Sequence, residues 1–265
     1  PEGDVLRDAI KIANPLGEDF SIMRTTSLNG ILTSLSTNYN RRNKDVRLFE
    51  IANVYLPKEL PLTELPDERS TLTMGMFGDG DFFTLKGVLE QLFDELGMQK
   101  TKEYDPSDKK PYLHPGRQAD IVYEGKKLGY LGEVHPNVLD AYEIGTRAYV
   151  AVIDLPAVLP FVTFDRKYAG IAKYPAVTRD LSMVVPHEIR VGEIEKMISQ
   201  RGGKLLEECR LFDVYEGDQI KEGFKSVAYA LSFRAKDRTL EDADVSAAMK
   251  KILNGLESMG IELRA

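Results

Sequence analysis

Apolar positions along this chain recur with two different periods. Leu28, Ile31, Leu32, Leu35 and Tyr39 keep the spacing of one helix face, which predicts a helix from Ser27 to Arg42 with Ser27 as its N-cap. Arg41-Arg42-Asn43-Lys44 closes it with cations that suit the negative end of the helix dipole. Leu85, Val88, Leu89, Leu92, Phe93 and Leu96 predict a second amphipathic helix over 83–96, ended by Gly97. Val46 to Leu56 and Thr71 to Gly78 read as strands, separated by an extended loop with Pro57, Pro61 and Pro66. Ala119–Tyr123 and Lys127–Val134 flank Glu124-Gly125-Lys126 as a hairpin. Val138–Tyr142 is a helical turn, and Arg147–Leu155 is apolar enough for a buried strand. These elements lack βαβ regularity, so the fold expected for residues 1–160 is α+β.

Pro160, Gly170 and Pro175 punctuate the next stretch, and residues 161–172 are read as a linker. Residues 173–265 then run strand (Asp180–Val185), helix (Val191–Arg201), two strands, helix (Leu240–Leu256) and strand (Ile261–Arg264). That βαββαβ order predicts a ferredoxin-like domain. Ile194, Met197 and Ile198 are expected to face its sheet, as are Val245, Ala248, Met249, Ile252 and Leu256. Thr239 is the expected cap of the last helix, with Asp242 at its third position.

The two middle strands carry the functional expectation. In Leu211-Phe212-Asp213-Val214-Tyr215, period two puts Phe212 and Val214 on one face and Leu211, Asp213 and Tyr215 on the other. In Gly223–Phe233, the larger residues Val227, Tyr229, Leu231 and Phe233 share a face. Ser226, Ala228, Ala230 and Ser232 share the opposite one. One face is greasy, while the other carries small residues, a carboxylate and a phenol. A sheet with helices on one side and an open face bearing an aromatic is a platform on which single-stranded RNA bases stack.

Charge narrows the kind of partner. The net charge of −7 falls wholly on residues 1–163, whereas residues 164–265 balance at 17 of each sign. General nucleic-acid binders are basic, so any RNA contact here is expected to be local and directed at bases; DNA binding is not expected. No run of about 18 apolar residues predicts a membrane helix. Cys209 is the only cysteine, which rules out an intramolecular disulfide and suits a cytoplasmic setting. The chain opens Pro1-Glu2-Gly3 without methionine and is expected to be part of something longer.

Several runs together carry a family resemblance. Lys173-Tyr174-Pro175-Ala176-Val177-Thr178-Arg179-Asp180-Leu181-Ser182 is followed by Leu-Phe-Asp-Val-Tyr-Glu-Gly from Leu211, Gly-Phe-Lys-Ser from Gly223, and Arg238-Thr239-Leu240. In combination these resemble the ferredoxin-fold anticodon-binding domain of bacterial phenylalanyl-tRNA synthetase beta subunits. Asn14-Pro15-Leu16 through Met23-Arg24-Thr25, Phe49 to Tyr55, His114-Pro115-Gly116-Arg117 and Leu131 to Pro136 are similar to that subunit's synthetase-like domain. The resemblance covers essentially the whole chain. It implies a cytoplasmic heterotetramer of two alpha and two beta subunits that joins phenylalanine to its tRNA using ATP and Mg²⁺. Catalysis is implied to lie in the alpha subunit, with the domain here an inert copy of a class II core that supports assembly. The helix from Leu28 to Tyr39 matches a region that packs at class II subunit interfaces.

The resemblance also implies site residues. Asp213, Tyr215 and Ser226 match positions that stack on and hydrogen-bond the first anticodon base, and Ala176 matches a nearby contact. Lys173, Arg179 and Lys225 are candidates for tRNA phosphates, with solvated faces or a pair to Asp180 as the alternative. Class II chemistry needs arginines on the ATP phosphates. Arg47 lies near one such position, but the matching later segment, Ala148 to Leu155, has no arginine and no glycine. No catalytic residue and no bound ATP or Mg²⁺ are therefore expected in this chain. His114 and His135 beside their prolines are read as turn residues, not metal ligands, and Cys209 as a packed thiol. From another class, the alternative is a regulatory ferredoxin-like module binding a small metabolite.

Overall fold

The computed structural model describes residues 3–98, 100–107, 109–166, 168, 170–217 and 219–264, and divides the chain into two compact units at residues 167–168. Each unit has its own hydrophobic core.

The first unit is an antiparallel sheet between helices. Its strands are β1 (Val46–Leu56), β2 (Asp67–Phe77), β3 (Glu103–Pro106), β4 (Leu113–Tyr123), β5 (Lys126–Val134) and β6 (Ala148–Asp154), in the order β1-β2-β6-β5-β4-β3. Its helices are α1 (Leu28–Asn40), α2 (Phe82–Glu95), α3 (Pro136–Ala141) and the single turn α4 (Leu155–Val158). The long apolar run of β6 is explained by its central place. Ala148 and Val150 pack with α1 on one side, and Tyr149, Ala151 and Ile153 pack with α2 and α4 on the other. Helix α1 buries Leu28, Ile31, Leu32 and Leu35, so its apolar face is used inside the unit. It comes so close to β2 that a Cβ on Gly75 would lie 2.9 Å from Ile31 and 3.0 Å from Leu35. Residues 161–166 pack back on this unit, with the Thr163 amide donating to the Leu96 carbonyl at 2.9 Å.

Two capping expectations fail here and in the second unit. Ser27 has helical dihedrals and caps nothing; its hydroxyl bonds those of Thr71 and Thr73 instead. The last helix is not capped by Thr239. It begins two residues later than expected, at Asp242, with a reciprocal box between Glu241 and Asp244. Carboxylates serve that role as well as a hydroxyl does, and two of them compete with Thr239 within five residues. The structure also adds β3, which the period analysis passed over, and begins β4 at Leu113 instead of Ala119.

The second unit is β7 (Val177–Pro186), α5 (Val191–Gly202), β8 (Leu206–Tyr215), β9 (Phe224–Phe233), α6 (Asp242–Glu257) and β10 (Glu262–Leu263), with sheet order β10-β7-β9-β8. This is the expected ferredoxin-like arrangement. The helices cover one face. Ile194 and Ile198 of α5 and Val245, Ala248, Ile252 and Leu256 of α6 are buried against Leu181, Met183, Val227, Tyr229, Leu231 and Phe233. No helix of the described residues is long and apolar enough to cross a membrane.

Candidate nucleic-acid interface

The strand register decides what the uncovered face of the second sheet presents. Its rows across β7, β9 and β8 are Val184–Ser226–Tyr215, Ser182–Ala228–Asp213, Asp180–Ala230–Arg210 and Thr178–Ser232–Glu208. The central strand contributes only serine and alanine, so this floor is flat. Asp213 and Tyr215 stand beside it and are exposed, as their parity predicted. The hydroxyl of Tyr215 leans over Gly217, where a Cβ would lie 2.5 Å from it. That contact gives the spacing Tyr-Glu-Gly a physical reason: a side chain at 217 would push the ring aside.

Strand β8 is at the sheet edge and breaks register twice, between Leu206 and Glu208 and between Leu211 and Asp213. Each break inserts one residue and reverses the alternation. Leu211 therefore pairs with the buried Tyr229 and packs against the core, contrary to its expected place beside Asp213. Phe212, expected in the core, is the inserted residue and is 52% exposed. Val214 does pair with Val227 on the helix side. A period-two reading cannot detect an inserted residue, and the larger side chain at 212 made the error look natural.

The remaining candidates divide. Ser226 lies on the open face but is 3% exposed, and Arg264 donates to its hydroxyl at 3.3 Å. Ala176, just before β7, is partly buried, and Lys173 is exposed in the bend before it. Arg179 pairs with Leu231, on the helix face, and its guanidinium meets Asp242 at 3.4 Å, not Asp180. Lys225 pairs with Val185, also on the helix face, and donates to the His187 carbonyl at 3.3 Å. Parity thus separates Arg179 and Lys225 from Asp213 and Tyr215. Two cations that the sequence reading missed do lie on the open face. Arg210 is in the row of Ala230, and Arg264, after β10, reaches across to Ser226. Arg210 was hidden by the inserted residue, since plain alternation groups it with Phe212 and Val214, and Arg264 needed the pairing of the last strand. Cys209 faces the helices, and burial pushes its thiol up to about 12, with Glu195 and Glu208 adding to the effect.

In the first unit, the motif residues bond to neighbouring groups of the same unit. His114 accepts the Gly116 amide at 3.1 Å, and His135 accepts the Asn137 amide at 3.2 Å as the cap of α3. Arg117 and the buried Glu133 form an ion pair at 3.0 Å, with Arg147 also near that carboxylate. Arg47 donates to the Asp79 carbonyl at 2.9 Å. At the end of β6, where a triphosphate would need an arginine, Asp154 caps α4 and pairs with Arg69 at 3.5 Å. These residues do not fit an ATP phosphate chain. Among the described residues, no cluster of three His, Cys, Asp or Glu could hold a metal ion.

Comparison with known proteins fits this geometry. Residues 2–155 match the family model described as "Phenylalanyl tRNA synthetase beta chain CLM domain", and residues 172–264 match "Ferredoxin-fold anticodon binding domain". The chain belongs to the phenylalanyl-tRNA synthetase beta chain family. Its relatives in that family include the "Phenylalanine--tRNA ligase beta subunit" of Clostridium acetobutylicum, 48% identical over 265 residues, and that of Clostridium tetani, 44% identical over 265 residues. Each alignment covers 100% of this chain and 33% of the relative. The subunit of the same name from Symbiobacterium thermophilum is 39% identical over 277 residues, covering 100% of this chain and 31% of its own. The chain therefore spans about a third of the length of the family members it matches.

Proposed function

We propose that this chain is a non-catalytic part of a phenylalanine–tRNA ligase beta subunit. In this reading it supports assembly with an alpha subunit, in an alpha2beta2 heterotetramer, and holds the anticodon loop of tRNA(Phe). The whole ligase would use ATP and Mg²⁺ in the cytoplasm, with the chemistry outside this chain. The observation that carries the RNA reading is the open face of the second sheet: an exposed tyrosine ring and an exposed carboxylate beside a floor of alanine and serine. A ring of this kind supplies a π-face to any base, and a carboxylate accepts from the donor edge of guanine. Assembly is supported by the first unit's edge strand β1, which exposes Phe49 and Ile51. Apolar side chains on an unpaired edge mark a surface that a partner covers. The metabolite-binding alternative has no comparable observation in its favour. The test is a titration with a synthetic RNA hairpin carrying the anticodon GAA in its loop. Tyr215→Ala is expected to weaken binding by ~1–3 kcal/mol, the worth of one base stacked on an aromatic. Undiminished binding by the folded variant would remove the reading.

A further inference from the structure

Phe212 has no partner on β9, because Leu211 pairs with Tyr229 and Asp213 with Ala228. Its neighbour Leu211 packs against the core, whereas the Phe212 ring is 52% exposed and takes no part in that core. A bulge re-aims the side chain it inserts, here at a sheet edge. Three residues on, the Tyr215 ring is 38% exposed. Asp213 lies between them, and Arg210 is exposed two residues before, with no ion pair among the described residues. One short run of edge strand therefore offers two rings, a carboxylate and a free guanidinium.

We propose that Phe212 is a second stacking platform, so that the interface holds two unpaired loop bases, with Arg210 against a phosphate of the same RNA strand. This rests on the anticodon reading above. Three residues of strand set the two backbone positions about 10 Å apart, and the Tyr215 ring leans away from Phe212, over Gly217. That is too far for both to clamp a single base, so they serve different ones. The exposed charges on either side favour RNA over a protein partner, because the core of a protein interface is depleted of charge. Stacking tolerates such neighbours, and the guanidinium adds to it.

The test uses the full chain and the same GAA hairpin at one fixed salt concentration. Phe212→Ala is expected to weaken binding roughly five- to 150-fold, the equivalent of one lost stack, with its melting temperature unchanged. Phe212→Tyr, which keeps a π-face, should bind as the unaltered chain does. Arg210→Ala should flatten the dependence of log affinity on log salt by about one phosphate contact. Full-strength binding by Phe212→Ala, while Tyr215→Ala binds weakly, overturns the second platform and leaves the anticodon reading standing. Full-strength binding by both variants overturns both. A lowered melting temperature with unchanged binding per folded molecule makes Phe212 a packing residue. Loss of association with an alpha subunit alone makes it a protein contact. Either of the last two results also overturns the proposal.

Discussion

At the scale of single residues, the open face shows how far side-chain identity reaches. Asp213 and Tyr215 could be placed from alternation because no insertion falls between them. Leu211 and Phe212 could not, because the inserted residue lies there and leaves no compositional mark. Arg179 and Lys225 looked like phosphate contacts by charge, yet their parity with Leu231 and Val227 sends them to the helix side. Ser226 was placed on the correct face, but its burial under Arg264 depends on a strand of two residues that closes the sheet from the other end of the chain. Gly217 is the residue whose role emerges only from coordinates. Its missing Cβ leaves room for the Tyr215 hydroxyl. Gly217→Ala should displace that ring and weaken binding of the GAA hairpin, by less than Tyr215→Ala does, with an unchanged melting temperature. Binding equal to that of the unaltered chain would show that the ring's position there is immaterial.

At the scale of elements, the helices were legible because their apolar faces point into cores; the start of the last one was not, because several polar residues compete to cap it. Helix α6 illustrates the point. The Arg238 side chain, and then the amide of Glu241, hold the Asp244 carboxyl down at about 2. A carboxyl depressed in the fold contributes stability above its ordinary value near 4, and that contribution is lost as pH falls towards 2. Asp244→Asn has no such titration. The melting temperature of the unaltered chain should therefore exceed that of the variant at pH 6, and the gap should close between about pH 4 and pH 2. A gap independent of pH would mean that the charge of Asp244 does not support the cap. Strand β6 was equally legible, since apolar side chains on both faces require burial on both. Its apolar run leaves no place for a phosphate-binding arginine, and that absence was readable without coordinates.

At the scale of the whole molecule, two units with separate cores expose different surfaces: one has apolar residues at a sheet edge, and the other a flat face of small and polar residues. The charge division agrees, with the acidic first part suited to a protein partner and the neutral second part to a local RNA contact. The central claim is that this second unit reads the first anticodon base through the carboxylate of Asp213. The most direct measurement compares hairpins with G or A at that position, bound by the unaltered chain and by Asp213→Asn at one salt concentration. The amide keeps one acceptor and replaces the other with donors, so it cannot take both guanine donors as the carboxylate does. The unaltered chain should prefer G, and Asp213→Asn should lose much of that preference while its affinity for the A hairpin changes little. If the variant keeps the full preference for G, or if the unaltered chain has none, Asp213 does not read that base and the account is wrong.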